Sequence, residues 1–200
     1  MGQDWRPNQA ISIELMYQLL AKTEDRAREA GDVLSKHRWI LGGGYFCFCF
    51  VLSLRSPEGL MNDLEGLIQF HNDACGDVII PLLGRFKGEH HSKQHLLSSK
   101  GVTGSGIQVK KWVRRILAAH RSQGRTSGPA FVNAEGYQST TSEMNVMFLS
   151  LLVKIFDENP RLFGLDIKEA SDLSDKYNAF RSFQRGSESR AVAMKVSEAD

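Results

Sequence analysis

The sequence predicts a mainly α-helical chain carrying one small antiparallel β-hairpin, an α+β fold, from three observations. Apolar residues recur at helical spacing in long stretches on both sides of the middle of the chain. The β-branched run VIIPLLG at 78–84 is followed by a polar, glycine-containing turn and a second short apolar stretch, the pattern of a hairpin. The composition, 42% hydrophobic and 9% aromatic over 200 residues, suffices for one sizeable core and excludes wholesale disorder. A single domain over 1–200 is the expectation.

The first helix starts near Ile11, with Leu15, Met16, Leu19 and Leu20 on one face and Gly31 as its stop. The run WILGGGYFCFCFVLSL at 39–54 is 16 residues long and holds three glycines, too short to span a bilayer. It predicts a buried core helix ending at 54–57, and no membrane partner. A short helix is expected at 60–70, then the hairpin from Asp77, with Pro81 at an edge or bulge and Lys87 near the turn. GVTGSG at 101–106 reads as a flexible approach to the clearest amphipathic helix. There Val109, Trp112, Val113, Ile116 and Leu117 form the apolar stripe, with Lys110, Lys111, Arg114, Arg115 and Arg121 on the other side. After a loop at 122–129, Thr140 and Glu143 form a capping box. Met144, Met147, Phe148, Leu151, Leu152, Ile155 and Phe156 then repeat at helical spacing up to Asn159-Pro160, and a last helical region is expected at 172–193.

Net charge is only +2, but it is unevenly spread: 7 basic and 10 acidic residues in 1–75, 10 and 2 in 76–125, and 8 and 11 in 126–200. The segment 76–125 is thus +8 between flanks of −3, and a concentrated positive field attracts polyanions, nucleic acid first among them. Arg85, Lys87, Lys93, Lys110, Lys111, Arg114 and Arg115 are the candidate nucleic-acid contacts. Three cysteines, two of them one residue apart, exclude a disulfide framework and predict a reducing compartment, cytoplasmic or nuclear. The start MGQDWRPNQ lacks the basic-then-apolar pattern of a secretory signal, and Arg6 stands where a myristoylation pattern needs Ser or Thr.

Several motifs read as ordinary structure. His91 and His95 are four apart, but Ser92 occupies the place a zinc-protease glutamate would take, so a solvated turn is expected and no metal centre. Cys47 and Cys49 lie in the apolar run as small hydrophobes. The glycines at 42–44 and in GVTGSG lack the GK[ST] ending of a phosphate loop, although GVTGSG could offer backbone N–H groups to one phosphate. No cofactor is expected.

Two arginine-centred segments remain, LRSPEGL with Arg55 and Glu58, and FRSFQRGSESRA with Arg181, Arg185 and Arg190. A guanidinium emerging from a core element with a carboxylate three residues on suits rigid phosphate clamping. In their order along the chain these segments resemble the catalytic domain of tyrosine recombinases, the phage-integrase family. The resemblance runs over 11–193. It implies that Arg55 is the first catalytic arginine and Glu58 its structural partner, with Lys87 the hairpin lysine and Lys93 its reserve. It implies a second box at Arg181-Ser182-Phe183-Gln184-Arg185, with Arg181 in the usual histidine position and Arg185 standing in for the arginine that Gln184 replaces. The implied partner is double-stranded DNA, with a homo-oligomer on DNA as a further option. The implied activity is DNA breaking and rejoining in recombination or integration, in a mobile-element derivative. The expected domain is the catalytic core without the family's N-terminal clamp and C-terminal end. Tyr17, Tyr45, Tyr137 and Tyr177 all precede the second box, so this chain alone is expected not to cleave. The alternative is a non-enzymatic helical DNA-binding or protein-interaction module with a basic face, and the third option a helical scaffold.

Overall fold

The computed structural model describes residues 9–85, 89–179 and 181–187. It is mainly helical with one two-stranded antiparallel sheet, an α+β architecture. Helix α1 (Ile13–Glu29) begins at Ser12, whose Oγ accepts the Leu15 N–H at 3.1 Å. Its buried stripe, including Leu15, Met16, Leu19 and Leu20, packs against α2 (Val33–Val51), the central helix.

Helix α2 starts six residues before the apolar run, because Asp32 caps it by accepting the Ser35 N–H at 2.9 Å. It ends at Val51, short of the expected 54–57. Its three consecutive glycines serve close packing. A Cβ would lie 2.1 Å from Met147 Sδ at Gly42, 2.3 Å from the Trp112 ring at Gly43 and 2.5 Å from Ile116 Cδ1 at Gly44. Successive helix positions turn by about 100°, so neighbours approach from several sides at one level.

A short α3 (Ser56–Gly59) and α4 (Leu64–Phe70) follow in place of one helix over 60–70. Strands β1 (Asp77–Gly84) and β2 (Lys93–Lys100) pair in register from Asp77 with Lys100 to Gly84 with Lys93. Among the described residues, the outer side of β1 takes a single antiparallel bridge, between Asn62 and Leu82, with the Leu83 N–H donating to the Met61 carbonyl at 2.7 Å, so Pro81 stands at the sheet edge, where a missing N–H is tolerated. Val78, Ile80 and Leu82 turn inward to the core. The histidines at 91 and 95 belong to this hairpin, with His95 in β2, so helical i, i+4 geometry does not apply to them.

Helix α5 (Val109–Ser122) buries the predicted stripe, and α6 (Thr141–Glu158) opens with the predicted capping box. Thr140 Oγ1 accepts the Glu143 N–H at 3.2 Å while a Glu143 carboxylate oxygen accepts the Thr140 N–H at 2.6 Å. Among the described residues the expected helical region at 172–193 is broken, and its part from 188 onward lies outside them. A 3₁₀ turn (Ala170–Asp172) leads into α7 (Leu173–Lys176), the chain extends at Tyr177, and a new helix occupies 182–187. Tertiary contacts override the local propensity there. Tyr177 packs edge-on to Phe163 at 5.8 Å, and Asn145 Oδ1 accepts the Ala179 N–H at 3.0 Å. Among the described residues, no helix is long and apolar enough to cross a membrane.

Candidate nucleic-acid interface

The two arginine segments come together at the C-terminal end of α2. Leu54 and Leu60 are buried on either side of α3, and Gly59 lies so close to α2 that a Cβ there would be 2.4 Å from Cys49 Sγ. Tyr45 Oη donates to the Ser56 carbonyl at 3.2 Å, and Asn62 Nδ2 to the Gly59 carbonyl at 2.8 Å. Arg55 is exposed on this anchored turn. The Glu58 carboxylate accepts the Arg55 backbone N–H at 2.9 Å, holding the backbone of Arg55 without forming an ion pair with its guanidinium. The guanidinium is left facing outward.

The second segment reaches the same place by burying Phe183. Its ring stacks on Phe46 at 5.5 Å and 20° and lies 5.1 Å from Phe148. The Ser182 carbonyl accepts the Ile11 N–H at 3.1 Å, and Ser53 Oγ donates to Ser187 Oγ at 2.6 Å. Arg181 is exposed, whereas Gln184 and Arg185 are partly buried on the 182–187 helix. Lys87 and Arg190 lie outside the described residues. Lys93 pairs with Glu89 at 2.7 Å, and Arg85 is exposed directly after β1.

Four of the cations on α5, Lys110, Lys111, Arg114 and Arg115, are engaged. Glu24 on α1 pairs with Lys111 at 2.9 Å and with Arg115 at 2.7 Å, and Arg115 also covers the Trp112 ring at 5.1 Å. Asp73, in the turn after α4, pairs with Arg114 at 2.6 Å, and Lys110 Nζ donates to the Asp73 and Cys75 carbonyls. Burial works against ionisation of Glu24, but hydrogen bonds from Lys111 and Arg115 prevail and hold its carboxyl below the usual range. The hydrogen bond from Arg114 does the same for Asp73. The +8 of segment 76–125 is thus offset in space by acids from the preceding segment, which charge counted along the chain does not register.

GVTGSG is a closed turn. Thr103 Oγ1 accepts the Ile107 N–H at 3.0 Å and its carbonyl accepts the Gly106 N–H at 2.7 Å, so two of the donors a phosphate would need are spent. Sequence reasoning passed over His37 and His120, both buried at the α2–α5 junction. Ser122 Oγ donates to the Ala119 carbonyl at 2.8 Å, so His37 Nε2, 3.0 Å away, must be the donor to Ser122. In this arrangement the hydroxyl proton is directed at a backbone carbonyl and not at the imidazole. His120 Nε2 donates to the Ala130 carbonyl at 2.7 Å.

Cys47 and Cys49 are buried, and burial raises both thiols. Tyr45 is also buried and its hydroxyl is raised well above the ordinary value, while burial, with Asp166 nearby, pushes Tyr177 up to about 12. Tyr17 and Tyr137 are exposed. Among the described residues, no group of three potential metal ligands gathers. No protein-family model matches the chain, and no curated protein is significantly similar to it.

Proposed function

We propose that the chain is a DNA-binding, tyrosine-recombinase-like catalytic core, with Arg55 and Arg185 as the clamp for a backbone phosphate. The supporting observation is the meeting of their segments, about 130 residues apart in sequence, at one end of α2 through the Ser53–Ser187 contact. Guanidinium groups offer paired N–H donors and a fixed charge to the non-bridging oxygens of a phosphodiester, the electrostatic part of phosphoryl transfer. Arg181 takes the position of the family's histidine beside them, and Lys87 is assigned the proton donated to the leaving 5′ oxygen. Glu58 serves the clamp by fixing the Arg55 backbone. A helical scaffold without a polyanion partner is favoured by one observation, the pairing of the α5 cations with Glu24 and Asp73.

Fluorescence anisotropy with a labelled duplex over a salt series separates the two. In the DNA-binding core, Arg55→Ala and Arg185→Ala each weaken binding about tenfold, as expected for a charge-assisted hydrogen bond. Each also lowers the slope of log affinity against log salt by about one. Arg161→Ala, an equal charge loss after α6, changes it far less. Equal effects of all three substitutions would refute the clamp, and absence of duplex binding would leave the scaffold.

A further inference from the structure

The turn that presents Arg55 starts with an unusual residue. Among the described residues, Ser53 is the single non-glycine with a left-handed backbone, at φ 53°. It follows the C-cap of α2. The Leu54 N–H donates to the Cys49 carbonyl at 2.9 Å and the Ser53 N–H to the Phe50 carbonyl at 3.4 Å, the paired bonds of a Schellman turn. Glycine ordinarily fills this position because a Cβ crowds the following carbonyl. What serine has and glycine lacks is a hydroxyl, and that hydroxyl donates to Ser187 Oγ at 2.6 Å.

The surrounding contacts bring the two elements close. At Gly186 a Cβ would lie 2.2 Å from the Ile11 carbonyl oxygen and 3.0 Å from Phe50 Cε2, so the 182–187 helix reaches the end of α2 only with glycine there. Each of the bonded serines stands two residues from an arginine of the clamp, Ser53 from Arg55 and Ser187 from Arg185. Backbone strain retained where the rest of the turn would favour its removal marks a constraint beyond folding.

We propose that Ser53 is a positioning residue whose hydroxyl ties the 182–187 helix to the turn carrying Arg55, so that Arg55 and Arg185 meet a phosphodiester as one pre-set pair. The role rests on the phosphate-clamp reading given above. Ser53 touches no substrate. It acts through the backbone on either side of the contact, by removing freedom that phosphate binding would otherwise have to remove.

Ser53→Gly separates folding from positioning, because it relieves the backbone while deleting the hydroxyl. In the full chain, Ser53→Gly is expected to unfold at the parent's temperature or above it, while amide hydrogen exchange over 183–186 accelerates. Duplex affinity is expected to fall about fivefold, the factor associated with one neutral hydrogen bond. Ser187→Ala should lower affinity by the same factor, and the double variant no further than either alone. Parent-like exchange and affinity in Ser53→Gly, or single effects that simply add, would overturn the positioning role while leaving the clamp intact. A parent that binds no duplex would remove the clamp itself, and the positioning role with it.

Discussion

Replacing Gly43 by alanine sets two known effects against each other inside α2. Alanine in place of glycine in a helix interior is favourable by about 1 kcal/mol. Against that, the new Cβ would lie 2.3 and 2.4 Å from Trp112 Cη2 and Cζ3 and 2.8 Å from Thr23 Cγ2. Carbon atoms rest at about 3.5–4 Å, so the ring would have to move by more than an ångström. Trp112 is 2% exposed, Thr23 is fully buried, and the planar ring has no flexible end to swing aside. Overpacking of this kind costs about 1–3 kcal/mol, and the upper end applies where the neighbour is a rigid ring, giving a net loss of up to about 2 kcal/mol after the helix gain. In a chain of this length that lowers the unfolding temperature by several degrees. Gly42→Ala supplies the internal comparison, since its neighbour is Met147 Sδ at 2.1 Å, part of a thioether chain that can change rotamer. Urea unfolding followed by tryptophan fluorescence should therefore rank Gly43→Ala below both the parent and Gly42→Ala in stability. A Gly43→Ala protein as stable as the parent, or more stable than Gly42→Ala, would refute close packing as the reason for the triple glycine.

Three further outcomes are expected. Glu24→Gln with Asp73→Asn frees the α5 cations, so duplex affinity should rise and its salt dependence steepen; unchanged binding would leave these acids a purely structural role. Burial lowers the pKa of His37, helped by Lys36, and of His120, helped by Arg125 and by His37 itself, while the Ala130 bond partly opposes it. The folded state then binds fewer protons than the unfolded one, so this stability is fully present above about pH 6.5 and declines as pH falls through the lowered values. Urea midpoints measured between pH 7.5 and 5 should drop in the parent and drop less in a His37→Asn, His120→Asn variant; equal drops would place the acid sensitivity elsewhere. With a nicked suicide duplex, Tyr45 and Tyr177 should contribute no covalent adduct on a denaturing gel, since both are buried and burial raises their hydroxyl pKa values. An adduct would direct attention to Tyr17 and Tyr137, the exposed pair.

Strong local signals were legible in the sequence. The capping box at Thr140 and the stripe of α5 predict their helices because each depends on residues within one or two turns. The early start of α2 also has a local signal, Asp32 three residues before Ser35, but hydrophobicity alone marks only the apolar run, which the cap precedes. GVTGSG looked open because glycine marks conformational freedom, yet Thr103 closes the turn on itself. The break after α7 has no comparable local signal, since Tyr177 and Ala179 are drawn out of helix by Phe163 and Asn145 from other elements.

Charge and site geometry were harder to read for the same reason, that each is a property of space and not of sequence. A basic helix becomes a paired one when Glu24 and Asp73 arrive from two other parts of the chain. The opposite happens to the arginine segments, which lie about 130 residues apart along the chain and meet once Phe183 stacks on Phe46. The stacking is an apolar event, indifferent to the arginines, and it is what fixes where they stand: a helix held through Phe183 has Arg185 little more than half a turn further on. The core thus aims the polar surface, and in the proposed clamp a substitution at Phe183 should weaken duplex binding in the same anisotropy assay without removing a single charge.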